Sequence, residues 1–344
     1  MKTITLKLTV TLFLVVQFSN AQKFNNAAEY LDFIGAEQQT IIKNMWKYTK
    51  AIAHSKSDRS INGKRQNLLK SMERAIAKIQ KAEGFDGDDY KNKVLEQLIF
   101  KKDLLNQDYA KIIDMKAVAE QSYDAMEAYI IAQEMADKKM EESQQEYEKN
   151  FYDFAAKHQI DIIESETDLG NKMKLSNEVF THYNDLYLIY FKVYMNEIYL
   201  WEAIEEANVS AIQQNANALS VSANEGLEIL ETQTAYNNDD SIIKATKNAF
   251  EFFIDESENK IPQITEFLIL NEDFESIKSN LEQTPEKKRT KEQIDNYNKK
   301  VKAINKAVNN YNKTNTELNN ERQNMINSLN NTNANFLSKH IPND

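Results

Sequence analysis

The chain has 344 residues, a formal net charge of −11 and no cysteine. An acidic balance without a basic stripe argues against nucleic-acid binding and against attraction to anionic membranes. The missing thiols exclude disulfides, thiolate metal sites and cysteine nucleophiles, and six Gly with three Pro are too few for a turn-dense β fold, so the expected class is all-α.

The first stretch has the composition of a secretory leader. Lys2 and Lys7 form a basic start, Leu8 to Phe18 is apolar, and Ser19 and Ala21 suit the small-residue positions before a signal-peptidase cut. A signal peptide over 1–21, cleaved after Ala21, is the expectation, and the apolar run is too short for a stable anchor. Loss of Lys2 and Lys7 with it takes the formal charge from −11 to −13. Helical periodicity then predicts helices over 27–53, 61–81, 90–115 and 117–157. A polar break around Ser55 to Ser60 and the Gly84-Phe85-Asp86-Gly87 turn separate the early ones. The middle of the fourth, 137–149, is largely charged or amide and is expected to face water.

An acidic linker is predicted at 161–171, ending near Gly170. The helix after it, 175–206, carries two apolar faces. Tyr183, Tyr187, Tyr190, Tyr194 and Trp201 run along one, and Leu186, Ile189 and Val193 start another. A helix apolar on two sides is buried on two sides, so it is placed at the centre. Lys192, Asn196 and Glu197 interrupt it, which favours core packing over membrane insertion. Helices over 209–235, 241–260 and 262–281 follow, with Pro262 expected to break the last two apart. Thr284-Pro285-Glu286 is read as the start of the final helix. Along that helix an apolar seam recurs at a mean period of 3.5: Ile294, Tyr297, Val301, Ile304, Val308, Tyr311, Leu318, Met325, Leu329 and Phe336, with Asn315, Arg322 and Thr332 as its polar positions. Such a seam belongs to a long helix laid along other long helices.

Two shifts of the sequence suggest an internal repeat. A shift of 182 places Phe154 to His158 on Phe336 to His340, and a shift of 151 places Phe85 to Asp89 on Tyr236 to Asp240. The expected architecture is an elongated helical bundle made of a duplicated four-helix unit, with one extra helix inserted after Pro262 in the second copy. The expected domains are an N-terminal unit over 22–160 and a C-terminal unit over 172–344, sharing a core.

Candidate chemistry is sparse. The residues three before His54, His158, His182 and His340 are Ala51, Ala155, Val179 and Leu337, so the Glu-x-x-His pairs of a carboxylate di-iron bundle are absent. Glu178, His182 and Asp185 share one helical face and are the candidates for a divalent metal; such a trio also arises by chance on a solvated face. Asp86, Asp88 and Asp89 lack the Gly and Glu of a calcium loop and are read as helix-start residues. His54, Lys56, Arg59, Lys64 and Arg65 form a small basic cluster, a candidate for an anionic glycan or phosphate, set against a solvated loop at a helix end. His158 and His340 suit the negative ends of helix dipoles. Asp240-Ser241-Ile242 fits a short bacterial O-glycosylation pattern, although a helix start explains the same residues. Phosphate-cradling glycine loops and Gly-x-Ser-x-Gly elbows do not occur, and no cofactor is implied.

Three segments carry a resemblance: Asn44-Met45-Trp46-Lys47-Tyr48-Thr49-Lys50-Ala51-Ile52-Ala53-His54, Ala119-Glu120-Gln121-Ser122-Tyr123-Asp124-Ala125-Met126-Glu127-Ala128-Tyr129, and Phe154 to His158. With them the chain resembles a family of exported bacterial surface proteins of unknown function, first named from a spirochaete and common in Bacteroidetes-type bacteria. The resemblance implies an envelope or surface location and transfers no catalytic residue. Members with a lipoprotein cysteine differ from this chain, which has none. The functional expectation is a non-enzymatic binding or scaffolding protein of the periplasm, outer surface or medium, with a protein or glycan of the envelope as partner. The alternatives are a hydrolase or metal-dependent enzyme with a site between the two units, and a membrane-active helical protein.

Overall fold

The structure, a computed structural model, describes residues 22–55, 57–162 and 168–344. The expected leader over 1–21 with its cleavage after Ala21, the candidate Lys56, and residues 163–167 of the expected linker lie outside the described residues. Among the described residues the chain is an all-α bundle without a strand. In chain order the helices are α1 Ala27–His54, α2 Asp58–Lys81, α3 Asp89–Asp103, α4 Tyr109–Ala119, α5 Tyr123–Lys157, α6 Asp168–Glu205, α7 Val209–Glu231, α8 Ser241–Asp255, α9 Ile261–Gln283 and α10 Lys291–His340.

Their starts follow from short polar side chains that accept an otherwise unpaired backbone N–H. Asn26, Ser57, Ser122 and Asn208 each accept from the N–H three residues on. Thr290 and Gln293 form a reciprocal capping box at the head of α10. The final helix therefore starts at Lys291, not at Thr284-Pro285-Glu286, which leads instead into a short turn of tighter helix. Likewise Ser122 starts α5 at Tyr123, later than the expected 117, and α6 begins at Asp168, so Gly170 lies inside a helix rather than at the end of a linker.

Each half contains one single-turn π-helix. Leu104–Asp108 joins α3 to α4, and Glu256–Lys260 joins α8 to α9. In the second, the Ile261 N–H reaches back to the Glu256 carbonyl. Pro262 has no N–H to give, and the wider turn before it lets the helix pass through without a break. The expected separate helix after Pro262 is therefore not there: α8, the π-turn and α9 are one continuous helix.

The α10 seam is unbroken, and at ~1.5 Å per residue its 50 residues reach about 75 Å. Ile304, Thr314, Leu318, Leu329 and Phe336 are buried along it. Ile294, at the outer end, is 42 % exposed. The α6 helix lies at the centre as expected, packed on α1, α5, α7, α8 and α10. Two principal cores result, one built around Tyr30, Leu68, Met72 and Leu98, the other around Leu219, Phe250, Phe253 and Phe336. A small apolar seam of Ala119, Met126, Ile130, Phe191 and Met195 joins α5 to α6. The charged middle of α5 is not wholly solvated, since Ser143 and Tyr147 are buried.

Candidate functional site

Two polar residues that interrupt apolar stripes meet inside the second half. Arg322 of the α10 seam donates through Nε to Glu197 Oε1 of α6, and through Nη2 to Glu256 Oε1. Its guanidinium lies 4.0 Å from the centre of the Trp201 ring, a cation–π contact. The Trp201 indole Nε1 donates to Glu256 Oε1 at 2.9 Å. Glu256 is the first residue of the π-turn. Glu197 and Glu256 are 3 % and 0 % exposed.

Two buried carboxylates thus face one cation. Burial raises the pKa of both; the nearby Glu197 raises Glu256 further, and Arg322 opposes the rise in each. A second negative charge there has no counter-charge, so the pair keeps one proton well above the usual carboxylate range. With that proton the quartet is neutral. Glu256 Oε2 is buried without a hydrogen-bond partner.

The outer side of the same π-turn borders an open groove of about 840 Å³ between α7 and α9. Ala216, Ser257, Ile261 and Thr265, all buried, form its floor. Ile269, 49 % exposed, and Leu270 extend it along α9. The exposed carboxylates Glu258, Glu266 and Asp273 lie along its margin, with Lys300 of α10 bonded to Asp273. Ser220 Oγ donates to Glu258 Oε1 at 2.6 Å.

A second polar position lies in the first half. Lys101, 6 % exposed, donates to Gln144 Oε1 at 2.7 Å and sits 5.8 Å from the centre of the Tyr147 ring. Burial pushes its pKa down to about 8, with Glu148 opposing. Both amide atoms of the buried Gln97 are without partners.

The residues singled out from sequence fall into separate structural settings. Among the described residues no group of three or more His, Asp or Glu is arranged to hold a metal ion, so Glu178, His182 and Asp185 are not such a centre. Glu178 and Asp185 are exposed, while His182 lies against Tyr236 and Phe336. Burial lowers the His182 pKa, Asp185 raises it and His340 lowers it, which fits a neutral core imidazole. The basic residues differ in their surroundings. Arg59 and Lys64 are exposed, His54 is half-buried, and Arg65 donates from Nη1 to the Leu105 carbonyl inside the first π-turn at 3.2 Å. Arg65 is thereby a structural residue. His340 and Lys339 bond to the buried Asp239 at 2.8 and 2.7 Å. His158 and Lys157 approach Asp86 at 3.8 and 2.8 Å. Each pair fastens the end of a long helix to a loop.

Both features of interest were missed as sites. Arg322 and Glu197 are each a polar gap in an apolar stripe, and that is the signal from which their meeting could have been found. Nothing marked the groove. Comparison with protein-family models, with curated proteins and with solved structures finds no match.

Proposed function

We propose that this chain is an exported, non-enzymatic helical scaffold of the cell envelope that docks another envelope component along the groove between α7 and α9. The open groove carries the reading, because a concave surface where aliphatic Ile261, Ile269 and Leu270 lie together inside a polar rim is the form of a docking site rather than of a scattered exposed side chain. The leader-like start of the sequence supports export. The hydrolase alternative needs converging carboxylates between the two halves, whereas the carboxylate pair described above, Glu197 and Glu256, lies within the second half at 3 % and 0 % exposure. The surface between the halves where that alternative places its site is lined at α5 and α6 by apolar side chains. For the membrane-active alternative, no helix among the described residues is long and apolar enough to cross a membrane.

Two measurements test the reading. Fractionation with surface proteolysis should place the protein outside the cytoplasm, lacking residues 1–21. A photo-crosslinker at position 269 in cells should give one discrete adduct that the same probe on the exposed Lys64 does not give. A cytoplasmic protein, or identical adduct patterns from both positions, overturns it.

The duplication belongs to the same proposal. Each half runs helix, helix, helix with a π-turn, long helix, and each closes with a Phe–His ring contact, Phe154–His158 and Phe336–His340. The two shifts, 151 and 182, differ because the last hairpin is longer in the second half: α9 has 23 residues against 11 in α4, and α10 has 50 against 35 in α5. Asp273 and Lys300 of the groove lie in that extension. An experimental structure in which 27–158 fails to superpose on 168–340 overturns the duplication.

A further inference from the structure

The groove has a shape and a charge that select its occupant. Along α9 its lining runs from Ile261 to Asp273, about 18 Å at ~1.5 Å per residue, or three helical turns. On the facing wall Gln213, Ala216, Asn217 and Ser220 of α7 repeat at three- and four-residue steps. Two helices that part along such ridges leave the space that a third helix fills by setting its own ridges between theirs. The floor sets Ala216 and Ile261 beside Ser257 and Thr265, whose hydroxyls are already given to the Ile254 and Ile261 carbonyls, and Ile269 and Leu270 continue it as an aliphatic strip. The margin is acidic: Glu258, Glu266 and Asp273 stand against Lys300, whose charge is already spent on Asp273.

We infer that the groove seats one amphipathic helix of a partner protein, with an aliphatic face inward and lysines or arginines along its flanks. This rests on the groove being the docking surface. Three properties narrow the occupant. An anionic glycan or phosphate would meet the carboxylate margin and be repelled. A second copy of this chain is itself acidic, with a formal charge of −11 over the sequence, and long-range repulsion disfavours it. A cationic helix gains on both counts, covering Ile269 and Leu270 while placing its flanking cations beside Glu258 and Glu266.

The test uses the full chain and three fluorescein-labelled 18-residue helical peptides, Leu/Lys, Leu/Gln and Leu/Glu, titrated by anisotropy. The Leu/Lys peptide should bind tightest. Ile269→Asp should weaken it by about tenfold or more, as loss of a central apolar anchor does. Glu258→Lys with Glu266→Lys should weaken it as much, whereas the same reversal at Glu225 and Glu228, exposed on α7 outside the groove, should change it less than about threefold. These positions are exposed, so the variants keep the fold, and unchanged thermal melts verify that. If Leu/Lys binding falls equally with both pairs of reversals, the attraction is general and the inference fails. If Leu/Gln or Leu/Glu binds tighter and Ile269→Asp abolishes that binding, the groove is a docking surface with a different occupant, and only the charge assignment is lost. If no peptide responds to Ile269→Asp, the docking surface itself is refuted.

Discussion

Arg322 faces two buried carboxylates with one positive charge, and that imbalance makes residue-scale outcomes predictable. Arg322→Met fills similar space but leaves Glu197 and Glu256 without a cation. Breaking a buried ion pair on one side costs about 3–5 kcal/mol, and urea denaturation should show a loss of that order. Glu256→Gln behaves in the opposite sense because glutamine resembles the protonated acid. The folded-state pKa of Glu256 is raised above its ordinary value of 4.5, by burial and then by Glu197. Between that value and neutrality the folded chain holds a proton that the unfolded chain releases. Folding stability from this group is therefore full at acid pH and declines as pH rises toward and through the raised value. Denaturation midpoints at about pH 5 and about pH 7.5 should drop for the parent chain and drop less for Glu256→Gln. An equal drop in both places the proton elsewhere. Asp239 pulls the other way but outside that window: burial raises its pKa, bonds from Lys339, Ser241 and His340 outweigh that and hold it below its ordinary 3.8, so its contribution is constant from about pH 5 upward and is lost only in stronger acid.

Helices carry their instructions locally, and that decides which elements were legible in the sequence. The α10 seam was, since Ile304, Leu318, Leu329 and Phe336 declare a buried face through their spacing alone. The π-turns were not. Apolar spacing on either side of a π-turn looks helical, and Pro262 reads as a break until the i→i+5 bond from Ile261 to Glu256 is seen. Glu256 was hidden for the same reason: it sits among Glu251, Asp255 and Glu258, and the widened turn decides which acid points inward. The groove was illegible because it is a place where packing stops, and periodicity reports only where packing occurs. Close approach of two helices is also a tertiary fact. Gly226 of α7 lies so near α8 that a Cβ there would come 2.5 Å from Phe250 Cε2. Alanine improves helix propensity by about 1 kcal/mol over glycine. The overpacking cost, about 1–3 kcal/mol, exceeds that gain because Phe250 is fully buried and has nowhere to go. Gly226→Ala should lower the melting temperature, and adding Phe250→Leu should recover part of the loss. A more stable Gly226→Ala protein would show that the two helices separate readily.

At the scale of the whole molecule the two halves have their own cores but share contacts. Trp46 of α1 belongs to the second half's core and donates from Nε1 to the Asp344 carbonyl at 3.1 Å. The α5–α6 seam adds Phe191, 2 % exposed, against Met126, Ile130 and Met195. Phe191 is buried in the seam and touches the second core only through the rings of Tyr187 and Tyr194, so truncating it weakens the coupling between the halves more than it disturbs either core. A buried Phe→Ala change costs about 3–5 kcal/mol. That loss should appear as lost cooperativity. Hydrogen exchange at low denaturant should give α3 and α8 similar opening free energies in the parent chain, and values more than about 1 kcal/mol apart in Phe191→Ala. Phe253→Ala, in the second core, provides the contrast: it should lower α8 protection most, and α3 should follow only as far as the intact seam transmits the loss. If Phe191→Ala lowers both helices equally, the halves fold as one body and the seam is simply part of its core.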